Sequence, residues 1–260
     1  MGYENIRIER DGPALVVTFD RPSARNAIST ATMDEIAEAL ADAEADDAVR
    51  AVVFTGGSDY FSAGADLNDA LAIDGAKDGH VYFRRWHRLT ALLENHAKPV
   101  IAAIEGFCMT GGLEFALACD IRVAAEGATF TITSSRIGTV AGAGGTQRLP
   151  RLVGAGKALE ILFSAEPIGA EEAHRIGLVN RLAPKGEALT VAKELAALYA
   201  ERAPLSLAFA KRAVYRGLDM DLASGLEFEA FLVNTIYGTE DRTEGITAFL
   251  EKRPAAFKGR

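Results

Sequence analysis

Apolar positions in this chain fall in short runs at two spacings. Asn5–Arg10 and Ala14–Asp20 have the length and pattern of strands and flank Asp11-Gly12-Pro13, a turn sequence, which predicts a hairpin. Met33, Ile36, Ala37 and Leu40 recur at helical spacing behind Ser29 or Thr30, either of which can cap the helix. Ala51–Thr55 reads as a short apolar strand ending at Gly56-Gly57, and Val81–Glu94 as a mixed helix. Pro99–Ile104 has a buried-strand pattern broken at Gly106. A further helix is expected from Gly111-Gly112 and another strand over Ile121–Ala125. The alternation of strand and helix predicts a layered α/β core.

After about residue 186 the pattern changes. Leu189–Ala200, Leu205–Arg216, Leu222–Tyr237 and Thr239–Lys252 all read as helices with no strand between them. The expected organisation is therefore an α/β core over residues 1–186 and a helical region over 187–260, the latter packing on the core or between subunits.

Composition narrows the function. The 260 residues are 49% hydrophobic and 25% charged, ordinary globular values. A net charge of -8 argues against general nucleic-acid binding. Every apolar run is interrupted well short of the ~20 residues of a membrane span. The polar start, MGYENIRIERDG, lacks the apolar core of a secretory signal, so a cytoplasmic location is expected, or an organelle matrix if a presequence has been lost. Cys108 and Cys119 are too few for a disulfide framework, and neither they nor the four histidines show a metal-ligand spacing.

Three glycine-bearing segments carry the candidate chemistry: Phe61–Leu67, Gly106–Glu114 and Gly138–Thr146. None forms a GxGxxG, a P-loop or a GxSxG elbow. Each is read as following an apolar strand and leading toward a helix, the place where open α/β sheets put ligands. The amide of Gly111, at a helix N-terminus, would be an unpaired donor suited to an oxygen that gains negative charge. Glu114 in the first turn faces the same ligand. Its apolar neighbours imply burial and a raised pKa. Asp120 is read as a structural acceptor, and Arg84, Arg85, His87 and Arg88 as a solvated basic face.

Phe61–Leu67, Gly106–Asp120 and Gly138–Leu149 resemble the three signature regions of the crotonase family, the enoyl-CoA hydratases and isomerases. Arg21-Pro22 with Asn26-Ala27 resembles its N-terminal CoA-contact segment, and Phe249-Leu-Glu-Lys252-Arg its closing motif. The resemblance implies a spiral of ββα units with a C-terminal helical trimerisation region, and a homotrimer or dimer of trimers. It implies an acyl-CoA thioester substrate, with coenzyme A belonging to the substrate and no prosthetic group, metal, nucleic acid or membrane partner. Carried over residue by residue, the amides of Ala65 and Gly111 form an oxyanion hole, each worth roughly 3 kcal/mol. Ala63, Ala65, Asp66 and Leu67 line the pantetheine. Arg25 and Ala27 lie by the nucleotide end, and Phe249 and Lys252 approach it from a neighbouring subunit.

One position departs from the pattern. Of the two glutamates that share the work in the family's hydratases, Glu114 matches the first, but Ser134 stands at the second. Three catalytic readings stay open. Glu114 alone can serve a hydratase, or shuttle a proton in an isomerase. Alternatively, Ser134 with Arg136 binds a polar acyl group for hydrolysis, decarboxylation or ring cleavage. A non-catalytic acyl-CoA-binding protein is the alternative of another class.

Overall fold

The computed structural model describes residues 2–260. The chain opens with β1 (Ile6–Asp11) and β2 (Ala14–Phe19), an antiparallel hairpin turning at Gly12, whose φ of +55° is open to glycine. Helix α1 (Thr30–Ala45) follows; the Ser29 hydroxyl accepts the amide of Thr32 and caps it. Then come β3 (Ala51–Thr55), the short α2 (Leu67–Leu71), α3 (Gly75–Asn95), β4 (Val100–Ile104), β5 (Phe107–Met109) and α4 (Gly111–Ala118). The core continues with β6 (Ile121–Ala125), β7 (Thr129–Thr131), α5 (Gly145–Val153), α6 (Ala155–Ser164), β8 (Ile168–Gly169), α7 (Ala170–Arg175) and β9 (Arg181–Ala183). Four helices close the chain: α8 (Ala188–Ala200), α9 (Pro204–Gly217), α10 (Leu222–Tyr237) and α11 (Glu240–Glu251).

The strands form a six-stranded sheet in the order β1-β2-β3-β4-β6-β9, parallel from β2 onward, and a small sheet in the order β5-β7-β8. The chain visits the two in turn: β4 joins the large sheet, β5 the small one and α4 follows, while Ser62 extends the small sheet by bridging to Cys108. This is the ββα spiral. β3 and β4 are buried at every residue, as parallel strands covered on both faces must be. Alternate residues face opposite layers. Val52, Phe54, Ala102 and Ile104 pack with α1, α3 and α4 residues, whereas Val53, Ile101, Ala103 and Val123 pack against Ala188, Ala192 and Ala196 of α8.

α3 begins six residues before the expected helix, and β5, β7, β8 and β9 were not expected as strands. These four have two or three residues each, too short for a two-residue period to register. Asp120 is structural: it accepts the amide of Val100, the ammonium of Lys211 and the hydroxyl of Tyr215. Cys108 and Cys119 are buried free thiols.

Candidate active site

Segments 21–28 and 61–66 are laced together before any ligand arrives. Arg25 and Asn26 both take left-handed conformations, with φ of +51° and +56°. This double twist lets the Asn26 side-chain amide donate to Gly56 O at 2.9 Å, while its own carbonyl accepts from the Ser62 hydroxyl at 2.7 Å. The Ile28 amide donates to Gly64 O at 2.7 Å, and the Asp66 amide to Ile28 O. In a trans peptide the carbonyl and N–H point opposite ways. Tying Gly64 O toward Ile28 therefore aims the Ala65 N–H away from it.

It is aimed at α4. A Cβ on Gly111 would lie 2.8 Å from the Ala65 nitrogen, and one on Gly64 would lie 3.1 Å from the Gly111 nitrogen. The next residue, Gly112, is confined in the same way, since a Cβ there would meet Ser62 at 2.7 Å. Thr110 turns the chain into α4 with φ +43° and ψ -112°, a strained conformation for a β-branched residue. Two ties hold it: its amide donates to Thr131 O, and its hydroxyl bonds that of Thr133 at 2.8 Å. Thr110 O accepts from the Glu114 amide in the first turn, so the Gly111 N–H projects outward from the helix end. Among the described residues neither the Ala65 nor the Gly111 amide has a hydrogen-bond partner. Two adjacent free donors, one backed by a helix dipole, will hold an oxygen that develops negative charge.

The expected carboxyl is beside them. Glu114 sits one turn into the wholly buried α4 and is 3% exposed. Its Oε1 accepts two amides, from Ala143 and Gly145, each at 2.8 Å. Burial pushes the carboxyl up from its ordinary range to about 7, although the two amides and the nearby Arg148 charge pull the other way. A group titrating there can both take and return a proton near neutrality.

Arg148 fixes the loop that supplies those amides, and pattern reading passed it over. Its guanidinium makes a bidentate pair with Glu94, at 2.6 and 2.7 Å, and reaches Ala143 O at 3.3 Å. Gly144 has a φ of +108°, which side chains rarely adopt, and a Cβ there would also press on the Arg148 guanidinium. Arg148 also lines a cleft of about 560 Å³ with His87, Asp120, Arg122 and Tyr215. The signal was available in the i to i+4 spacing of Gly144 and Arg148, one helical turn. Trp86, whose ring lies 3.1 Å from where a Gly111 Cβ would be, was also unforeseen.

The other expected residues divide. Ser134 is 4% exposed and opens a single 3-10 turn, Ser134–Ile137, directly after the Thr133 that bonds Thr110. Segment 138–146 thus follows that turn rather than a strand. Arg136, expected beside Ser134, instead points outward to pair with Glu166 at 2.8 Å on an exposed surface. It is far too solvated to share a buried acyl site with Ser134. Asp66 is occupied: its carboxylate pairs with Arg21 at 2.9 Å and caps α2 through the Asn68 amide. Ala63, Ala65 and Ala27 are half-buried beside the laced segments, while Arg25 is exposed and Leu67 is 63% exposed. Phe249, 82% exposed, and Lys252, which ends α11, project into solvent from a single chain. His87 is not wholly solvated, since its Nε2 bonds Gly142 O at 2.8 Å.

No cluster of three or more His, Cys, Asp or Glu able to hold a metal, and no helix long and apolar enough to cross a membrane, occurs among the described residues. Residues 9–260 match the sequence model of the family described as enoyl-CoA hydratase/isomerase. The chain is 41% identical to the short-chain-enoyl-CoA hydratase of Clostridium acetobutylicum, over all of both chains. It is 39% identical to the crotonyl-CoA hydratase of Syntrophomonas wolfei, over 99% of each. The crystal structure of an enoyl-CoA hydratase from Bacillus anthracis superposes with a TM-score of 0.93 at 34% identity, covering 99% of this chain and all of that one.

Proposed function

The chain belongs to the enoyl-CoA hydratase/isomerase family, and from that premise we propose that it hydrates 2-enoyl-CoA thioesters with one carboxylate instead of two. The observation that carries this reading is the convergence of the two free amides, Ala65 and Gly111, in front of a buried carboxyl titrating near neutrality.

The thioester oxygen accepts from both amides, which draws electron density from the conjugated double bond. Glu114 takes a proton from water as the water oxygen bonds to the β-carbon. The charge passes to the thioester oxygen as an enolate, and the amides hold it. Glu114 then returns its proton to the α-carbon, leaving a 3-hydroxyacyl thioester and a carboxylate. Ser134 supplies a hydroxyl that can hold water and has no acid–base role near neutrality. The pantetheine runs past Ala63, Ala65, Asp66 and Leu67, and the nucleotide end meets Arg25 and Ala27. Because the Asp66 carboxylate is held by Arg21, that residue meets the ligand through its backbone.

Self-assembly into a trimer or dimer of trimers belongs to the same proposal. Leu222, Phe231, Phe249 and Leu250 on α10 and α11 are each more than 60% exposed, apolar side chains that a neighbouring copy would cover. A neighbouring copy would then bring Phe249 and Lys252 to the nucleotide. We place the enzyme in the cytosol, with residues 1–186 holding the acyl-CoA site and 187–260 serving assembly.

The test is loss of the conjugated-enoyl absorbance of crotonyl-CoA. Turnover is expected, falling on the order of 10²–10⁴-fold in Glu114→Gln with CoA-thioester binding retained. Activity surviving in that variant rejects Glu114. Binding without turnover across a panel of thioesters establishes the non-catalytic alternative, and migration of the double bond without water addition establishes an isomerase.

A further inference from the structure

Tyr82 is 7% exposed and its hydroxyl has no hydrogen-bond partner; among the described residues Arg242 Nε is the one other buried side-chain polar atom so placed. Leaving a buried hydroxyl unpaired destabilises a fold by about 1–3 kcal/mol, so its retention calls for an explanation. Burial raises its pKa above the ordinary tyrosine value, and the Trp86 indole, one turn along, opposes this without reaching hydrogen-bond geometry. The group is therefore a neutral O–H.

Its position points to the acyl chain. Helix α3 packs against α4, and three of its aromatic residues cover the site. Trp86 reaches Gly111 of the amide pair, and Phe83 fills the space above Gly142, next to the amide that holds Glu114. Tyr82 shares the Trp86 face at i and i+4, and meets Phe83 edge-on with ring centres 5.3 Å apart. The charges of Asp69, Asp66 and Glu114 also raise the hydroxyl's pKa, so it lies within their reach. The two amides already claim the thioester oxygen, and Glu114 the water.

We propose that the Tyr82 hydroxyl is a specificity-determining donor, selecting 2-enoyl thioesters whose acyl chain carries a neutral oxygen acceptor such as an ether, ketone or alcohol beyond the double bond. Asp69 and the ionised Glu114 disfavour an acyl chain ending in another carboxylate, while Asp66 is compensated by Arg21. This inference rests on the hydratase reading and adds a substrate class to it.

The experiment compares hex-2-enoyl-CoA with 5-oxahex-2-enoyl-CoA, and hept-2-enoyl-CoA with 6-oxahept-2-enoyl-CoA, in wild type and Tyr82→Phe. Each pair differs only by oxygen in place of a methylene. The wild type should prefer the oxygen-bearing member of at least one pair in kcat/KM, and Tyr82→Phe should lower that oxa-to-methylene ratio at least about fivefold. Removing an unpaired hydroxyl should leave the melting temperature level or higher, so folding does not confuse the result. A ratio unchanged by the substitution overturns the proposal. That includes the case in which both substrates slow together, as they would if the hydroxyl served hydration itself or merely held an internal water. Crotonyl-CoA, run alongside, separates the two failures: a wild type that hydrates it but no member of either pair overturns the inference and leaves the hydratase reading standing, whereas a wild type that hydrates none of the five thioesters removes both.

Discussion

The amide pair and the Glu114 cradle lie side by side, yet sequence controls them in opposite ways. At Ala65 and Gly111 the proposed working groups belong to the main chain, and side chains act only by staying small. At Glu114 the proposed working group is a side chain, and its neighbours decide its proton affinity. The first site is set by sterics, through the closeness of Gly64, Gly111 and Gly112 to the facing backbone. The second is set by electrostatics, through burial against two amides and one arginine. The two should therefore fail differently.

The sharpest way to break the comparison is Gly111→Ala. The helical φ of this residue tolerates alanine, but the new methyl would lie 2.8 Å from the Ala65 nitrogen, too close to backbone to fit without pushing the two amides apart. Turnover should fall on the order of 10²–10³-fold, with the pH at half-maximal kcat/KM unmoved because Glu114 keeps its surroundings. A profile that moves along the pH axis would show that the two sites are not separable.

The next effect is on stability and involves Glu114 alone. Its folded carboxyl titrates near 7 against an ordinary 4.5, so the folded state holds the proton more tightly than the unfolded chain does. The sign follows: the stability this proton contributes is complete below about pH 4.5 and is lost as pH rises through 7. Relative to Glu114→Gln, which cannot ionise, the wild type should lose on the order of 3 kcal/mol across that window. Urea unfolding of both proteins at several pH values measures it. A constant difference between them would mean that the carboxyl is not desolvated. In the wild type, kcat/KM should rise with pH toward a plateau above 7, since hydration needs the carboxylate.

How much of this was legible beforehand follows the same division. The strands Ala51–Thr55 and Ile121–Ala125 could be read because burial on both faces makes each a short continuous apolar run, and the four final helices because their apolar residues recur at helical spacing. Gly111 and Glu114 were legible because a glycine pair and an acid at a helix start have local meaning. Arg136 was misplaced because adjacency to Ser134 in sequence says nothing about which way a 3-10 turn directs each side chain. Arg148 and Tyr82 were passed over because their significance lies in contacts across 54 residues to Glu94 and in a missing partner, and neither leaves a periodic trace.

The smallest effect separates the two sites most finely. Arg148 both steadies the 143–145 loop and lowers the proton affinity of Glu114. Arg148→Met should move the kcat/KM profile to higher pH by up to about one unit, the range of a single screened charge. The substitution also leaves Glu94 unpaired, and that second negative charge pushes the same way. Adding Glu94→Gln restores the balance of charge without restoring the bidentate bond. If Arg148 acts through its field, the double variant should recover much of the displaced profile while its plateau rate stays low. If it acts only by steadying the loop, single and double variants should be displaced alike. Arg148→Lys keeps the charge but loses the fork that grips Glu94, so it should hold the wild-type pH and lower only the plateau.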